Sequence, residues 1–172
     1  MPTMRIPLDT ICVRSGILCP RCKRLIDSGA YTQNEVDVMK ALLELEEDPN
    51  NKFLREASYF KSYHVDSMVI VVIEVSDTIP QSMLIRLGRT LSEKLGLRVR
   101  VIRKSQDIKT FLAQIFAPAR IQGIDSVWTP DGDVQHIIRI SKYDARVLPF
   151  KVNQLENLLT AIFNEVYRIK II

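Results

Sequence analysis

The spacing of apolar residues changes period several times along the chain. Between residues 33 and 45, Val36, Met39, Ala41, Leu42, Leu43 and Leu45 recur at helical spacing. Thr32 with Glu35 three residues on is a capping box that starts this helix, and Asp48-Pro49-Asn50-Asn51 stops it. From Tyr59 the pattern turns to β. Residues 59–64 and 68–75 read as a hairpin through Val65-Asp66-Ser67, and Met68 to Ile73 form an unbroken apolar run suited to a buried strand. Pro80 fits the first turn of the next helix, which runs to Leu95 and is closed by Gly96. In the strand 97–102, Leu97, Val99 and Val101 alternate with Arg98 and Arg100.

The remainder repeats this order. A short helix over 107–116 ends near Pro118, and a hairpin of 121–128 and 134–140 surrounds the turn Thr129-Pro130-Asp131-Gly132-Asp133. A helix over 152–164 and a closing strand over 167–172 follow. After residue 30 the order is therefore α-β-β-α-β, twice, which predicts the α+β class with αβ domains at 31–104 and 105–172. Residues 1–30 show no sustained period and contain Pro7, Gly16, Pro20 and Gly29, so they predict a small irregular module. Phe116 and Trp128 read as packing between the two domains rather than as stacking platforms, because an acidic turn follows Trp128.

Charge sharpens this outline. The net charge of +4 conceals an acidic helix, with Glu35, Asp37, Glu44, Glu46, Glu47 and Asp48 against Lys40. These acids read as solvated or facing a partner. Further on, Arg86, Arg89, Lys94, Arg98, Arg100, Arg103 and Lys104 stand against Glu93 alone. Arginines on a helix and on the strand after it form a face suited to a phosphate backbone. The apolar run at 68–73 is too short to span a bilayer, and the first residues lack a long apolar core. The expectation is a cytoplasmic protein with no membrane partner.

Catalysis is not expected. His64 and His136 fall in different hairpins, neither beside a nucleophile, and Gly96 and Gly123 are isolated rather than part of a phosphate loop. No small-molecule substrate is implied.

All three cysteines, Cys12, Cys19 and Cys22, lie near the start of the chain. Cys-Pro-Arg-Cys is a metal-knuckle turn, and clustered cysteines in a cytosolic chain favour a metal over a disulfide. Asp9 precedes Cys12 at the spacing that separates Cys19 from Cys22, which makes its carboxylate the candidate fourth ligand of a structural zinc. His64, far along the chain, is a weaker candidate.

Residues 87–133, LGRTLSEKLGLRVRVIRKSQDIKTFLAQIFAPARIQGIDSVWTPDGD, carry a resemblance. With the Ala117-Pro118-Ala119-Arg120 link and the strand ending in Trp128, they resemble the tandem KH region of archaeal NusA-like transcription factors. The resemblance covers residues 33–172 and implies two tandem type II KH domains that bind single-stranded RNA. A cysteine would be expected at position 9 in such relatives. The implied role is in transcription elongation or termination, with RNA polymerase as a partner. A ribosome-associated factor binding ribosomal RNA or a ribosomal subunit, or a protein-docking module without RNA, are the alternatives. The chain departs from the family at its binding loops. The GxxG positions fall on Ser82-Met83-Leu84-Ile85 and Leu148-Pro149-Phe150-Lys151, and neither contains glycine. RNA contact would then rest on the basic face.

Overall fold

The computed structural model describes residues 3–172, which form two compact units. Of these, the first unit takes the residues up to Ser62 together with Met68–Lys104, and the second takes Tyr63–Ser67 and Ser105–Ile172. The class is α+β, with a three-stranded sheet in each unit.

In the first unit, α1 (Thr10–Ser15), α2 (Pro20–Asp27) and α3 (Gln33–Leu45) precede a 3₁₀ segment, Pro49–Glu56. Then come β1 (Ser58–Val65), β2 (Met68–Glu74), α4 (Gln81–Leu95) and β3 (Arg98–Arg103). The sheet order is β1-β2-β3. β2 and β3 run parallel, with Met68 opposite Arg98 and Ile73 opposite Arg103. Parallel neighbours cannot be joined by a tight turn, so α4 carries the crossover. It buries Leu84, Leu87 and Leu91 in the core that Val69, Val71, Ile73 and Val101 also enter. Gly88 permits this packing, because a Cβ there would stand 3.2 Å from the Val99 carbonyl oxygen. Gly96 ends α4 in the left-handed conformation the sequence predicts.

In the second unit, α5 (Ile108–Phe116) is followed by β4 (Gly123–Trp128), β5 (Val134–Ile140), α6 (Lys142–Ala145), α7 (Val152–Phe163) and β6 (Val166–Ile171). β4 pairs antiparallel with β5, and β5 pairs parallel with β6. Phe163 of α7 lies 5.9 Å from Phe111 and 5.3 Å from Tyr167, which ties both long helices to the sheet. Phe116 is buried as expected, but Trp128 is 72% exposed and so is not a packing residue.

Two further expectations change. The N-terminal segment is not irregular throughout, since it folds α1 and α2. Its Met4, Leu8, Cys12, Val13 and Cys22 share a core with α3 and β2. The acidic helix is not uniformly solvated either. Glu35 is fully buried: it completes the capping box by accepting from the Thr32 amide, and it also accepts from the Ser62 amide at 2.8 Å and Lys61 Nζ at 3.0 Å. Tyr59 Oη lies 3.0 Å from its other oxygen, and burial pushes the Tyr59 phenol upward, so it stays a proton donor. Glu46, also buried, accepts from the Met4 amide at 2.8 Å and from the Thr3 hydroxyl. These carboxylates are structural.

Glu35→Ala would leave two amides without their carboxylate acceptor and Lys61 without its counter-charge, with only the Ala30 carbonyl remaining to it. It should lower stability by about 3 kcal/mol or more, the scale for breaking a buried ion pair. Urea unfolding measures this, and a loss below about 1 kcal/mol, the worth of a single neutral hydrogen bond, would contradict it.

Candidate metal centre and basic surface

Asp9-x2-Cys12 and Cys19-x2-Cys22 take equivalent places at the starts of two helices. Asp9 caps α1 with Cys12 in its first turn, and Cys19 caps α2 with Pro20 and then Cys22 in its first turn. The two turns lock reciprocally. The Asp9 amide donates to Cys22 Sγ at 3.3 Å, and the Cys19 amide donates to Cys12 Sγ at 3.3 Å. The four ligand atoms all lie within 4.8 Å of one another. Three sulfurs and one carboxylate oxygen converging in this way could hold a metal ion such as zinc, which takes ligands of these types. His64 is not in the group.

The electrostatics suit anionic ligands unequally. A hydrogen bond from the Cys22 backbone is the largest of the effects that hold the Cys19 thiol below its ordinary value. Burial pushes the Cys22 thiol up to about 11. A dication would supply the charge needed to deprotonate Cys22.

Arg21, inside the Cys-Pro-Arg-Cys turn, has a role that spacing alone did not show. Its Nη2 donates to Asp9 Oδ1 at 2.6 Å, and its Nη1 reaches the Pro7 carbonyl at 3.4 Å. This ion pair is the main cause holding the Asp9 carboxyl below the usual carboxylate range. Asp9 Oδ2, 3.1 Å from Cys19 Sγ, is left facing the thiols. Arg21 therefore orients the carboxylate and offsets part of the negative charge that four anionic ligands would bring.

The basic residues do not form one face. Arg86 and Arg89 are exposed on α4, which covers one side of the sheet. Arg98 and Arg100 alternate with Val99 and Val101 and so point to the opposite side, in line with Met68 and Ile70 of β2. Arg100 is half-buried, and desolvation, then its neighbour Arg98, lowers its pKa. Lys94 pairs with Glu44 at 2.6 Å and Lys104 with Glu74 at 2.9 Å. Arg103 donates to the Ile79 and Ser76 carbonyls and closes the turn before α4. Arg86 also reaches the Asn50 carbonyl at 3.3 Å.

The two glycine-free loop positions fare differently. Ser82, Met83, Leu84 and Ile85 are not a loop: they lie within the first turns of α4, with Leu84 in the core. Leu148, Pro149, Phe150 and Lys151 do connect two helices, α6 and α7, with Phe150 buried. Lys142, Arg146 and Lys151 are exposed around this connection. Sequence reading named Lys151 only as a loop position and passed over Lys142 and Arg146, which flank Asp144 and so add little net charge to the segment.

It also passed over a chain of contacts at His136, whose Nδ1 lies 2.9 Å from Ser126 Oγ and whose Nε2 bonds Glu165. His136 stacks on Tyr167 at 4.7 Å. Ser126 is directly opposite His136 and His136 opposite Tyr167, so these contacts tie three strands together. No helix among the described residues is long and apolar enough to cross a membrane.

No protein-family model matches the chain, and no curated protein matches it. Solved structures similar to it include the crystal structure of APE1850, with 19% identity and a TM-score of 0.48 over 68% of this chain and 88% of that one.

Purified without chelators, the protein should carry about one zinc equivalent, and cobalt in its place should show the intense charge-transfer bands of a thiolate-rich tetrahedral site. Metal content below about a tenth of an equivalent would contradict the site. Arg21→Gln should weaken zinc binding by about 10–100-fold, the usual cost of losing an outer partner of a ligand. In an Asp9→Cys background the same change should have little effect, because the residue Arg21 holds is gone. An equal loss in both backgrounds would show that Arg21 does not act through Asp9.

Proposed function

We propose that this chain is an RNA-binding accessory factor of the NusA-like kind, built from two KH-like units and stapled at its N-terminal segment by zinc, acting in transcription elongation or termination. The observation that carries the reading is the second unit's topology. Two helices, α6 and α7, joined by the connection 146–151, lie between the parallel strands β5 and β6. This is the position at which a KH domain places its phosphate-clamping loop. The first unit supports it less fully, since α4 alone bridges β2 and β3.

Without glycine, the amides of Leu148-Pro149-Phe150-Lys151 cannot approach phosphates closely. Binding then rests on charge: Lys142, Arg146 and Lys151 beside this connection, and Arg86 and Arg89 on α4, are all exposed. Such contacts position a backbone without reading its sequence, so the RNA bound is single-stranded or ribosomal with little base preference. The buried Phe150 favours one competing reading, in which the KH scaffold docks proteins and no longer holds RNA.

Fluorescence anisotropy with a labelled single-stranded RNA separates the two. Affinity should fall steeply between about 50 and 200 mM salt, as counterion release requires. The double variants Arg86→Glu/Arg89→Glu and Lys142→Glu/Arg146→Glu should each weaken binding by about tenfold or more at low salt, with a reduced salt slope. Absence of RNA binding at about 50 mM salt would overturn the RNA reading in favour of protein docking.

A further inference from the structure

The second unit holds a cleft of about 750 Å³ lined by α5, the connection 117–122, the start of β4 and Arg139 of β5. Its walls have two characters. Ala113, Pro118 and Ile124 give it apolar surface, while Lys109, Arg120 and Arg139 bring positive charge, and no acid is among its lining residues. The carboxylates that pair with or act on these cations are not among the lining residues: Asp125 beside Arg139, Asp144 beside Arg120 and Asp107 near Lys109.

Arg139 is partly covered, with its side chain 40% exposed. Its Cα stands opposite Gly123, and its guanidinium lies over that glycine so closely that any Cβ there would fall on it. Asp125 Oδ2 lies 2.9 Å from Nε, but Nε lacks a partner at hydrogen-bond geometry. Arg120 is the opposite case. Its side chain is 90% exposed and 4.0 Å from Asp144, a loose pair that a competing anion could replace without much loss.

Size, charge and surface converge on one ligand chemistry. Small-molecule sites occupy roughly 300–1,000 Å³ and combine apolar walls with a few placed polar groups. Cations without a lining acid select an anion, and guanidinium groups suit phosphate oxygens. The apolar wall offers a planar ring a place to lie. We propose that this cleft binds a phosphorylated nucleoside, with its phosphate on Arg120, Arg139 and Lys109 and its base against Ala113, Pro118 and Ile124. The ligand can be a free mononucleotide or one unit of an RNA strand. None of its lining residues lies on α4 or α6, although Arg120 pairs with Asp144 of α6, and its occupancy by a free nucleotide does not depend on the RNA-binding reading.

Calorimetric titration of the full chain at low salt tests this with adenosine 5′-monophosphate, adenosine, inorganic phosphate and a single-stranded oligoribonucleotide. The monophosphate should bind at least about tenfold more tightly than adenosine or phosphate, each of which lacks one half of the contacts. Lys109→Ala/Arg120→Ala, both at exposed positions, and Gly123→Ala, which displaces Arg139, should each weaken it by about tenfold or more while melting temperatures stay near wild type. Displacement of the monophosphate by the oligoribonucleotide would identify a strand unit as the ligand. Monophosphate binding that the oligoribonucleotide does not displace would identify a free nucleotide. Monophosphate affinity equal to that of phosphate alone, equal affinity in both variants, or no monophosphate binding at all would overturn the proposal. RNA binding that is kept in these variants but lost in the α4 and α6 variants would overturn only the strand-unit source, leaving the RNA reading intact.

Discussion

Parallel pairing of the central strand with the last strand of each sheet is the constraint from which the rest of both units follows. β2 is apolar and buried on both faces, so its partner β3 must be reached by a crossover rather than a turn. That crossover is α4, whose inward residues are fixed by the need to cover Val69, Val71 and Val101. Its outward residues are then Arg86 and Arg89, and the alternation of β3 sends Arg98 and Arg100 to the other side of the sheet. A segment rich in arginine is thereby divided into two surfaces by the geometry of one helix lying on one strand. In the second unit the same constraint acts on β5 and β6, but the crossover is broken into α6 and α7. The break exposes a connection flanked by cations where the first unit has only the start of a helix.

The N-terminal segment solves a different problem. α1 and α2 are too short to be stable alone, and their apolar side chains are few. They are held from two directions. Glu46 of the α3 terminus takes the Met4 amide and the Thr3 hydroxyl, while the four-residue ligand group ties the two helix starts to each other. Where a fourth thiolate would be self-sufficient, the carboxylate of Asp9 depends on Arg21 for its orientation. The ligand group and the buried Glu46 thus act on the same segment: one ties its two helix starts together, and the other fastens it to the end of α3.

Features set by neighbours in sequence were legible beforehand. The Thr32–Glu35 capping box, the Gly96 helix end, the apolar run of β2 and the Pro-Asp-Gly turn each depend on residues within a few positions. So did the grouping of Asp9 with the cysteines, because equal spacing puts both pairs at equivalent helix starts. Features set by distant partners were not legible. The capping role of Glu35 was legible, but its full burial was not, because that depends on Tyr59, Lys61 and Ser62 being brought onto it. A helix as short as α1 leaves no clear periodic trace, since its six residues span fewer than two turns. The split of the arginines required knowing that α4 lies against β3, and Arg139 over Gly123 required the register of β4 against β5.

The proposed function stands or falls on RNA contact, and ultraviolet cross-linking of the full chain to single-stranded RNA, read by peptide mass spectrometry, tests it most directly. Cross-linked peptides from α4 and from the α6–α7 connection are predicted, together with peptides from residues 117–124 if the nucleotide bound in the cleft is a unit of the strand. Absence of cross-links at low salt, or cross-links confined to the α1–α2 segment, would contradict it.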